Sequence, residues 1–285
     1  MSTGWKILRR WMRDRRLSTL SWTAGLIVIV VITAAFYPSL SNSTAELGES
    51  SSGTMSALLG LSSAIDPSSP LGYLWIGLYA NVVPMTQIAF GIALGSAAIA
   101  GDEETGTLEY MLSMPVTRGT IAVSRFIGAV AIMLFSGALV CLSLIASIPL
   151  FELGDEVTTT GTDGSTTTQP GATTLDAFNG TLASTAVGLG FLGLAYALGG
   201  ITGRKGPSTG ITAAIAVGGY VLYTISNSTG SLDWLAELTP WKWYVDDASL
   251  VLGLSWAVVR PVILAAAGFA IGSIVFTRRD LQPPK

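Results

Sequence analysis

The sequence has no histidine, a single cysteine and few charged residues. The lack of histidine excludes a His-based metal site and a His general base. With Cys141 as its only cysteine, the chain forms no internal disulfide. Only 12% of the 285 residues are charged, whereas soluble domains carry about twice that fraction. This composition indicates a membrane protein.

Charged residues are missing from six long stretches: residues 17–40, 67–101, 126–151, 177–203, 206–230 and 261–277. A bilayer core of about 30 Å needs about 20 mostly apolar residues per helix, and a charge in mid-helix costs about 2.5–3.5 kcal/mol. We therefore predict an all-α integral membrane protein with six transmembrane helices. Their approximate spans are 18–40, 71–100, 120–150, 178–203, 207–228 and 257–277.

Positive charge is distributed unequally between the connections. Of 15 Lys and Arg residues, 13 lie in the two terminal segments and in the connections after the second and fourth spans. The other three connections carry 12 of the 18 acidic residues. Because positive residues stay in the cytoplasm, we predict a multi-pass protein of the cell membrane with both termini cytoplasmic.

The predicted outer connections are acidic and rich in serine and threonine. Residues 152–176 are expected to be poorly ordered, because they combine low hydrophobicity with negative charge. The abundance of acidic residues and threonine in the outer connections resembles that of proteins from salt-loving archaea. Three Asn-x-Ser/Thr sequons, at Asn42, Asn179 and Asn227, fall at or beyond outer ends of spans. They are either glycosylation sites or chance matches in Ser/Thr-rich loops.

Glycine is abundant, and its spacing favours helix packing over nucleotide binding. Gly188, Gly190 and Gly193 match the dinucleotide motif GxGxxG, but no strand precedes them and no acidic partner follows. The pairs Gly91/Gly95, Gly199/Gly203 and Gly268/Gly272 have the spacing of close helix contacts. No Walker A motif is present, since Lys205 is followed by Gly206. We therefore expect no catalytic activity and no directly bound cofactor.

The connection after the second span is the most informative segment. Asp102, Glu103 and Glu104 lie where a helix would begin, and negative charge there favours the helix dipole. Leu108, Met111 and Leu112 recur at helical spacing, and Pro115 ends the pattern. The sequence thus predicts a cytoplasmic amphipathic helix at 102–115. Its apolar face packs on the membrane, on the protein's own spans or on a partner.

Residues 103–118, which read EETGTLEYMLSMPVTR, resemble the first intracellular loop of type-2 ABC exporter permeases, the ABC-2 membrane protein family. The basic residues 1–17 resemble that family's interfacial elbow helix, with Trp5, Leu8 and Met12 on one face. The outer segment TPWKWY lies within residues 230–252, where the resemblance implies short outer helices. The ending FTRRDL is also similar, so that the resemblance covers nearly the whole chain.

The resemblance implies that the loop is a coupling helix, which docks into a separate cytoplasmic ABC ATPase. That ATPase would bind ATP and magnesium, and a second permease subunit, identical or similar, would complete the transporter. Membrane lipids are the other expected partners, and no nucleic acid is expected. The residues carried over as ATPase contacts are Glu103, Glu104, Gly106, Thr107, Leu108, Glu109, Met111 and Leu112. A second, smaller contact is expected at Arg204–Pro207, unless that loop serves only as a positive-inside anchor.

Polar residues inside the spans are candidates for a substrate path: Asn81, Gln87, Tyr220 and Tyr223. Hydrogen bonding between helices is the alternative role for each. Pro84 is expected to kink the second span. Two other functions remain open, an ATPase-independent membrane scaffold or assembly factor and an intramembrane lipid-modifying enzyme. The latter lacks a recognisable catalytic pair.

Overall fold

The computed structural model describes residues 3–50, 69–108, 115–160, 166–229 and 233–279 and is helical through most of them. Six helical segments are long and apolar enough to cross a membrane: Arg16–Ser39, Pro70–Ala98, Arg118–Leu150, Thr174–Thr202, Lys205–Ser228 and Trp256–Arg278. By length and composition, the prediction of a helical membrane protein with six spans is confirmed.

The chain begins with two helices, α1 (Thr3–Asp14) and α2 (Arg16–Ser50). Trp11 anchors α1, since it is only 2% exposed and lies against Gly128 of the third span. A Cβ atom added at Gly128 would come within 3.0 Å of the indole. Of the face expected to be apolar, Trp5 is half exposed. The buried face of α1 therefore includes Trp11 and is rotated relative to the face predicted from the sequence, because α1 packs on the third span.

The second span is interrupted near its middle. It consists of α3 (Pro70–Leu74), a π-helical turn (Trp75–Tyr79) and α4 (Val82–Ala98). The interruption is at Asn81, whose φ is −139°, three positions before Pro84. Proline is tolerated in the first turn of a helix, where its missing N–H leaves no bond unmade. Pro84 thus lies in the first turn of α4, and the interruption of the helix precedes it at Asn81.

Beyond α4, the chain forms the short helix α5 (Ala100–Glu104) and the long third span α6 (Arg118–Leu150). An antiparallel hairpin follows, formed by β1 (Val157–Thr160) and β2 (Thr166–Gln169). Leu153 and Ala172 flank it, are buried, and are joined by the hydrogen bond from Ala172 N to Leu153 O at 2.8 Å. For residues 152–160 and 166–176, the expectation of poor order is therefore wrong, and residues 161–165 lie outside the described residues. Threonine and valine suit a strand backbone, which an argument from polarity alone overlooks.

The remaining elements are α7 (Thr174–Thr202), α8 (Lys205–Thr229), three short helices α9 (Asp233–Ala236), α10 (Pro240–Val245) and α11 (Ser249–Leu252), a 3₁₀ turn (Trp256–Val258) and α12 (Val259–Arg278). A capping box between Thr173 and Asp176 starts α7. Gly203, at φ 65°, ends it in the left-handed conformation that glycine adopts readily.

Close backbone contact places α7 at the centre of the bundle, between α4 and α12. A Cβ atom at Gly91 or Gly95 would lie 2.3 or 2.2 Å from carbonyl oxygens of α7. One at Gly268 would lie 2.2 Å from the Gly193 oxygen. The packing role predicted for these glycines is confirmed. The pair Gly199/Gly203 differs, because Gly203 serves as the helix cap.

The short helices α9 to α11 cover the opposite end of the bundle from α1. Trp241 and Tyr244 of α10 are buried. The indole of Trp241 donates to the Ala216 carbonyl at 2.9 Å, and the Tyr244 hydroxyl donates to the Tyr79 carbonyl at 2.6 Å. These bonds attach α10 to α8 and to the second span, so this end of the bundle is closed by protein.

Candidate functional site

The described part of the predicted coupling segment, residues 102–108, lies where α1, the 203–204 connection and the end of α12 meet. We call this part of the molecule the basic end. The structure differs here from the predicted helix 102–115. Asp102, Glu103 and Glu104 belong to the C-terminal part of α5, and a turn at Thr105 and Gly106 separates them from Thr107.

That turn depends on Gly106, whose φ of 71° is unfavourable for other residues. Helical backbone resumes at Thr107 and Leu108. The acidic residues therefore end one helix and do not start the next. The other expected contacts, Glu109, Met111 and Leu112, lie outside the described residues.

Glu103 forms a buried ion pair with Arg279, the residue that follows α12. Glu103 is 5% exposed, and Arg279 Nη1 donates to its Oε1 at 2.8 Å, while Nη2 contacts Oε2. Arg279 Nε also donates to the Gly200 carbonyl at 2.7 Å, and the Arg279 carbonyl accepts from Arg118 Nη1 at 2.6 Å. A Cβ at Gly203 would lie 2.8 Å from both paired side chains. One ion pair thus connects the loop with α6, α7 and α12.

The neighbouring residue, Asp102, forms a second ion pair with Arg125 of α6. Arg15 lies beside them, with its guanidinium 4.4 Å from the centroid of the Trp11 ring and its Nη2 donating to the Ala97 carbonyl at 3.1 Å. Burial raises the pKa of Asp102, and the charges of Arg125 and Arg15 oppose that shift. Burial also lowers the pKa of Arg15. This pair connects the loop with α1 and α6.

Leu108 is inside the protein and is not part of a free face. It is 1% exposed and belongs to a buried cluster with Trp11, Ile99, Ile121 and Phe276. The side chains of Glu103 and Leu108 are therefore occupied by contacts within the chain. Of the residues expected to contact an ATPase, these two are thus buried within the chain.

Exposed side chains at the basic end come from both connections. Glu104, Thr105 and Thr107 are exposed in the first, and Arg204 and Lys205 in the second. Glu104 Oε1 accepts from the Lys205 backbone N–H at 2.8 Å, which joins the two segments. We call these five residues the loop-pair surface. The described parts of the two segments that were expected separately to contact an ATPase are thus neighbours.

The four residues proposed for a substrate path have different neighbours. Gln87 is fully buried, lies beside Gly188 of α7, and has no hydrogen-bond partner for its amide among the described residues. Tyr220 packs edge-on against Trp241, with ring centroids 5.1 Å apart. Tyr223 is buried, and Asn81 is half-buried at the interruption of the second span. The structure does not gather them around one point, although Gln87 stands out as an unsatisfied polar group.

The three sequons have different environments. Asn179 is 8% exposed within α7, where packing leaves no room for a glycan. Asn227 is exposed in the last turns of α8, and Asn42 lies in α2 beyond its membrane-spanning part. Of the two with described side chains, only Asn227 is exposed on the protein surface, and it lies in the last turn of the candidate span Lys205–Ser228.

The basic end also contains residues that the sequence did not single out. Trp11, Arg15, Arg125 and Arg279 complete the cluster around α5. In the sequence they contribute only to the count of positive charge on one side. The sequence offered one signal for these ion pairs. Asp102 and Glu103 directly follow a charge-free stretch, and Arg125 and Arg279 lie at the edges of other charge-free stretches.

Comparison with protein families gives one match that spans nearly all of the chain. The family described as "ABC-2 family transporter protein" matches residues 5–281. Comparison with curated proteins gives no significant match.

Proposed function

The chain belongs to the ABC-2 family of transporter proteins, and from that premise we propose that it is the membrane-spanning permease subunit of an ABC exporter. A separate cytoplasmic ATPase would bind ATP and magnesium and drive transport. A second permease subunit, identical or similar, would complete the translocation path. The chain itself would carry no catalytic activity.

The observation that carries this proposal is the pair of buried ion pairs at the basic end. Asp102 and Glu103 are consecutive, and their partners, Arg125 and Arg279, lie on α6 and after α12. Removing one partner of a buried ion pair typically costs about 3–5 kcal/mol. The loop therefore cannot move independently of these helices. A force applied to the loop by an ATPase would be transmitted to two spans and, through Gly200, to α7.

The surface offered to the ATPase would be the loop-pair surface together with Glu109, Met111 and Leu112. Apolar side chains at helical spacing suit a groove in a partner, and the surrounding charges suit a polar rim. Glu103 and Leu108 would hold this surface in place from behind. In this proposal, exposed residues of the loop contact the ATPase, and their buried neighbours Glu103 and Leu108 transmit the force to the spans.

The basic end would face the cytoplasm. It holds the arginines of α1 and both basic connections, and positive residues are retained on that side. Because the part of the chain that the structure describes has an even number of candidate spans, both termini would then be cytoplasmic. The hairpin and α9 to α11 would face outward.

The experiment that tests the proposal uses the tagged full-length chain, extracted from its native membrane in a non-ionic detergent. We expect it to co-purify with an ATPase whose hydrolysis of ATP is inhibited by vanadate. Changing Met111→Arg together with Leu112→Arg should reduce the retained ATPase by about tenfold or more, as expected for two lost anchoring side chains.

The matched control places two arginines at the opposite end, Asp155→Arg with Glu156→Arg, where both side chains are exposed. This variant should retain the ATPase. If the wild-type chain brings down no ATPase, the scaffold alternative is favoured. If the Met111/Leu112 variant retains it fully, the loop is not the docking element.

A further inference from the structure

At the end of the bundle opposite the basic end there is an open cavity of about 630 Å³. It is bounded by α9, α10 and the start of α12. Its polar lining comprises three acidic residues, Glu237, Asp246 and Asp247, and two basic residues, Lys242 and Arg260, beside Trp234 and Trp243. Asp247 accepts a hydrogen bond from the Ser249 hydroxyl. We call it the outer cavity. Its volume is within the range of about 300–1,000 Å³ that is usual for small-ligand sites.

The short helix α10 presents two different faces. Trp241, Tyr244 and Val245 are buried in the bundle, whereas Lys242 and Trp243 line the outer cavity. This division follows from helical periodicity, which places residues three and four apart on the same face. The polar face of α10 is thus fixed by the anchoring of its apolar face and is directed into the cavity.

The Trp243 indole is held in position from two sides. Its Nε1 donates to the Glu237 carbonyl at 2.5 Å, and the Arg260 guanidinium lies 5.9 Å from the ring centroid. Trp234, on the neighbouring helix α9, is 69% exposed and keeps its ring accessible. The cavity therefore offers one immobilised and one open aromatic surface.

Both signs of charge remain available in the outer cavity. None of Glu237, Lys242, Asp246 and Arg260 forms an ion pair with another residue in the described part of the chain. Burial raises the pKa of Asp246, and the charge of Lys242 opposes this shift. Like charges from Asp233 and Glu237 act in the same direction as burial. A ligand with a single charge would be attracted by the residues of opposite sign, either Glu237 and Asp246 or Lys242 and Arg260, and repelled by the others.

The outer cavity lies at the level of a membrane surface. Arg260 is within the first turns of the candidate span Trp256–Arg278. Nearby apolar side chains are exposed, with Trp256 at 88%, Leu238 at 66% and Leu252 at 56%. Exposed tryptophan and leucine at the end of a span are typical of the interface between water and lipid. A ligand that enters here from the bilayer carries an apolar tail.

We propose that the outer cavity binds the zwitterionic headgroup of a phospholipid, with its ammonium group beside Glu237, Asp246 and the Trp234 ring and its phosphate beside Lys242 and Arg260. The ammonium would be stabilised by carboxylates and by an aromatic face. The phosphate would accept charge-assisted hydrogen bonds from the basic pair. The acyl chains would remain in the bilayer. This site is independent of the ATPase contact proposed above.

The test measures binding of a fluorescent short-chain phosphatidylcholine to the purified full-length chain in an uncharged detergent. We expect saturable binding, competed by unlabelled phosphatidylcholine and much less by phosphatidylglycerol, which has no ammonium group. Equal competition by both lipids would show nonspecific association with the apolar surface and would overturn the proposal. Glycerophosphocholine, which has the same headgroup without acyl chains, tests whether the ligand is a soluble molecule. Competition by it as strong as by the lipid would overturn the assignment to a membrane lipid.

Two single variants separate recognition from folding. Asp246→Asn should weaken phosphatidylcholine binding by about tenfold, the loss of one charge-assisted contact, and shift preference towards phosphatidylglycerol. Lys242→Gln should weaken it similarly and shift preference towards a quaternary ammonium amphiphile without phosphate. Asp155→Asn, an exposed acid outside the cavity, is the matched control and should leave binding unchanged. A variant that merely unfolds would lose all binding without a reversal of preference. Absence of either shift in folded protein would contradict the proposed headgroup orientation.

Discussion

Replacing Glu103 with glutamine tests how strongly the loop is attached to the bundle. The Glu103 side chain is 3% exposed and that of Arg279 is 15% exposed, so solvent screens their ion pair weakly. Glu103→Gln keeps the shape of the side chain and removes its charge. Arg279 then keeps its bond to the Gly200 carbonyl but loses the charge of the carboxylate that its two terminal guanidinium nitrogens contact.

The expected cost follows from the geometry of the pair. Two unit charges about 4 Å apart attract by about 4 kcal/mol at an effective dielectric constant of about 20. The desolvation of Arg279 is not recovered when its partner is removed, and such changes typically cost about 3–5 kcal/mol. We therefore expect Glu103→Gln to lower the free energy of unfolding by about 3 kcal/mol, which corresponds to a melting temperature lower by roughly 6–12 °C.

The assay follows thermal unfolding in detergent with a thiol-reactive dye. Cys141 is the only cysteine and is half-buried in α6, so it becomes fully reactive when the bundle opens. A double-mutant cycle with Arg279→Gln isolates the pair. Because either single change already breaks the interaction, the double variant should be little worse than one single variant, with a coupling energy of about 2–3 kcal/mol.

The matched control is Glu104→Gln, one residue further along. Glu104 is exposed and accepts one hydrogen bond, from the Lys205 N–H, which a glutamine oxygen can also accept. Its change should cost less than about 1 kcal/mol. If the effects of Glu103→Gln and Arg279→Gln on stability are additive, or if the changes at positions 103 and 104 cost the same, the ion pair does not stabilise the protein.

Three further predictions concern packing. Leu108→Ala should lower stability by about 2–5 kcal/mol in the same thermal assay, because the side chain is buried within the chain; a loss below about 1 kcal/mol would argue for a free face. Gly268→Ala should destabilise strongly, since its Cβ would meet the Gly193 oxygen at 2.2 Å, whereas Gly218→Ala, with open space around it, should be neutral or stabilising. Replacing residues 157–169 by a short Gly-Ser linker should preserve membrane insertion and ATPase association, because the hairpin is formed by its own two strands; loss of the assembled complex would show that the hairpin packs as structure.

Membrane-spanning segments were predictable because the bilayer imposes a strong local constraint. A charge-free run of about 20 residues has few alternatives to a transmembrane helix. The packing role of Gly91, Gly95 and Gly268 was likewise visible, since close helix contact requires small residues at regular spacing. Both arguments depend on neighbours in sequence and need no knowledge of the tertiary fold.

The arrangement of the basic end could not be predicted in the same way. Periodicity identified Leu108 as part of an apolar face but could not show that the protein's own core would cover it. Arg279 is 176 residues from Glu103 along the chain, and no local pattern links them. The turn at Gly106 depends on a single backbone conformation, which many glycines in this sequence could have adopted.

Docking of the exposed loop at the basic end to a cytoplasmic ATPase can be tested directly by the accessibility of one residue. Thr107→Cys in a Cys141→Ser background places one exposed thiol on that loop. Its labelling by a membrane-impermeant reagent is measured in inside-out vesicles, stripped of the ATPase and after the ATPase is restored. We predict rapid labelling of stripped vesicles, strong protection on restoration and no labelling from the outer side of intact cells. Labelling only from outside, or equal labelling with and without the ATPase, would contradict the claim.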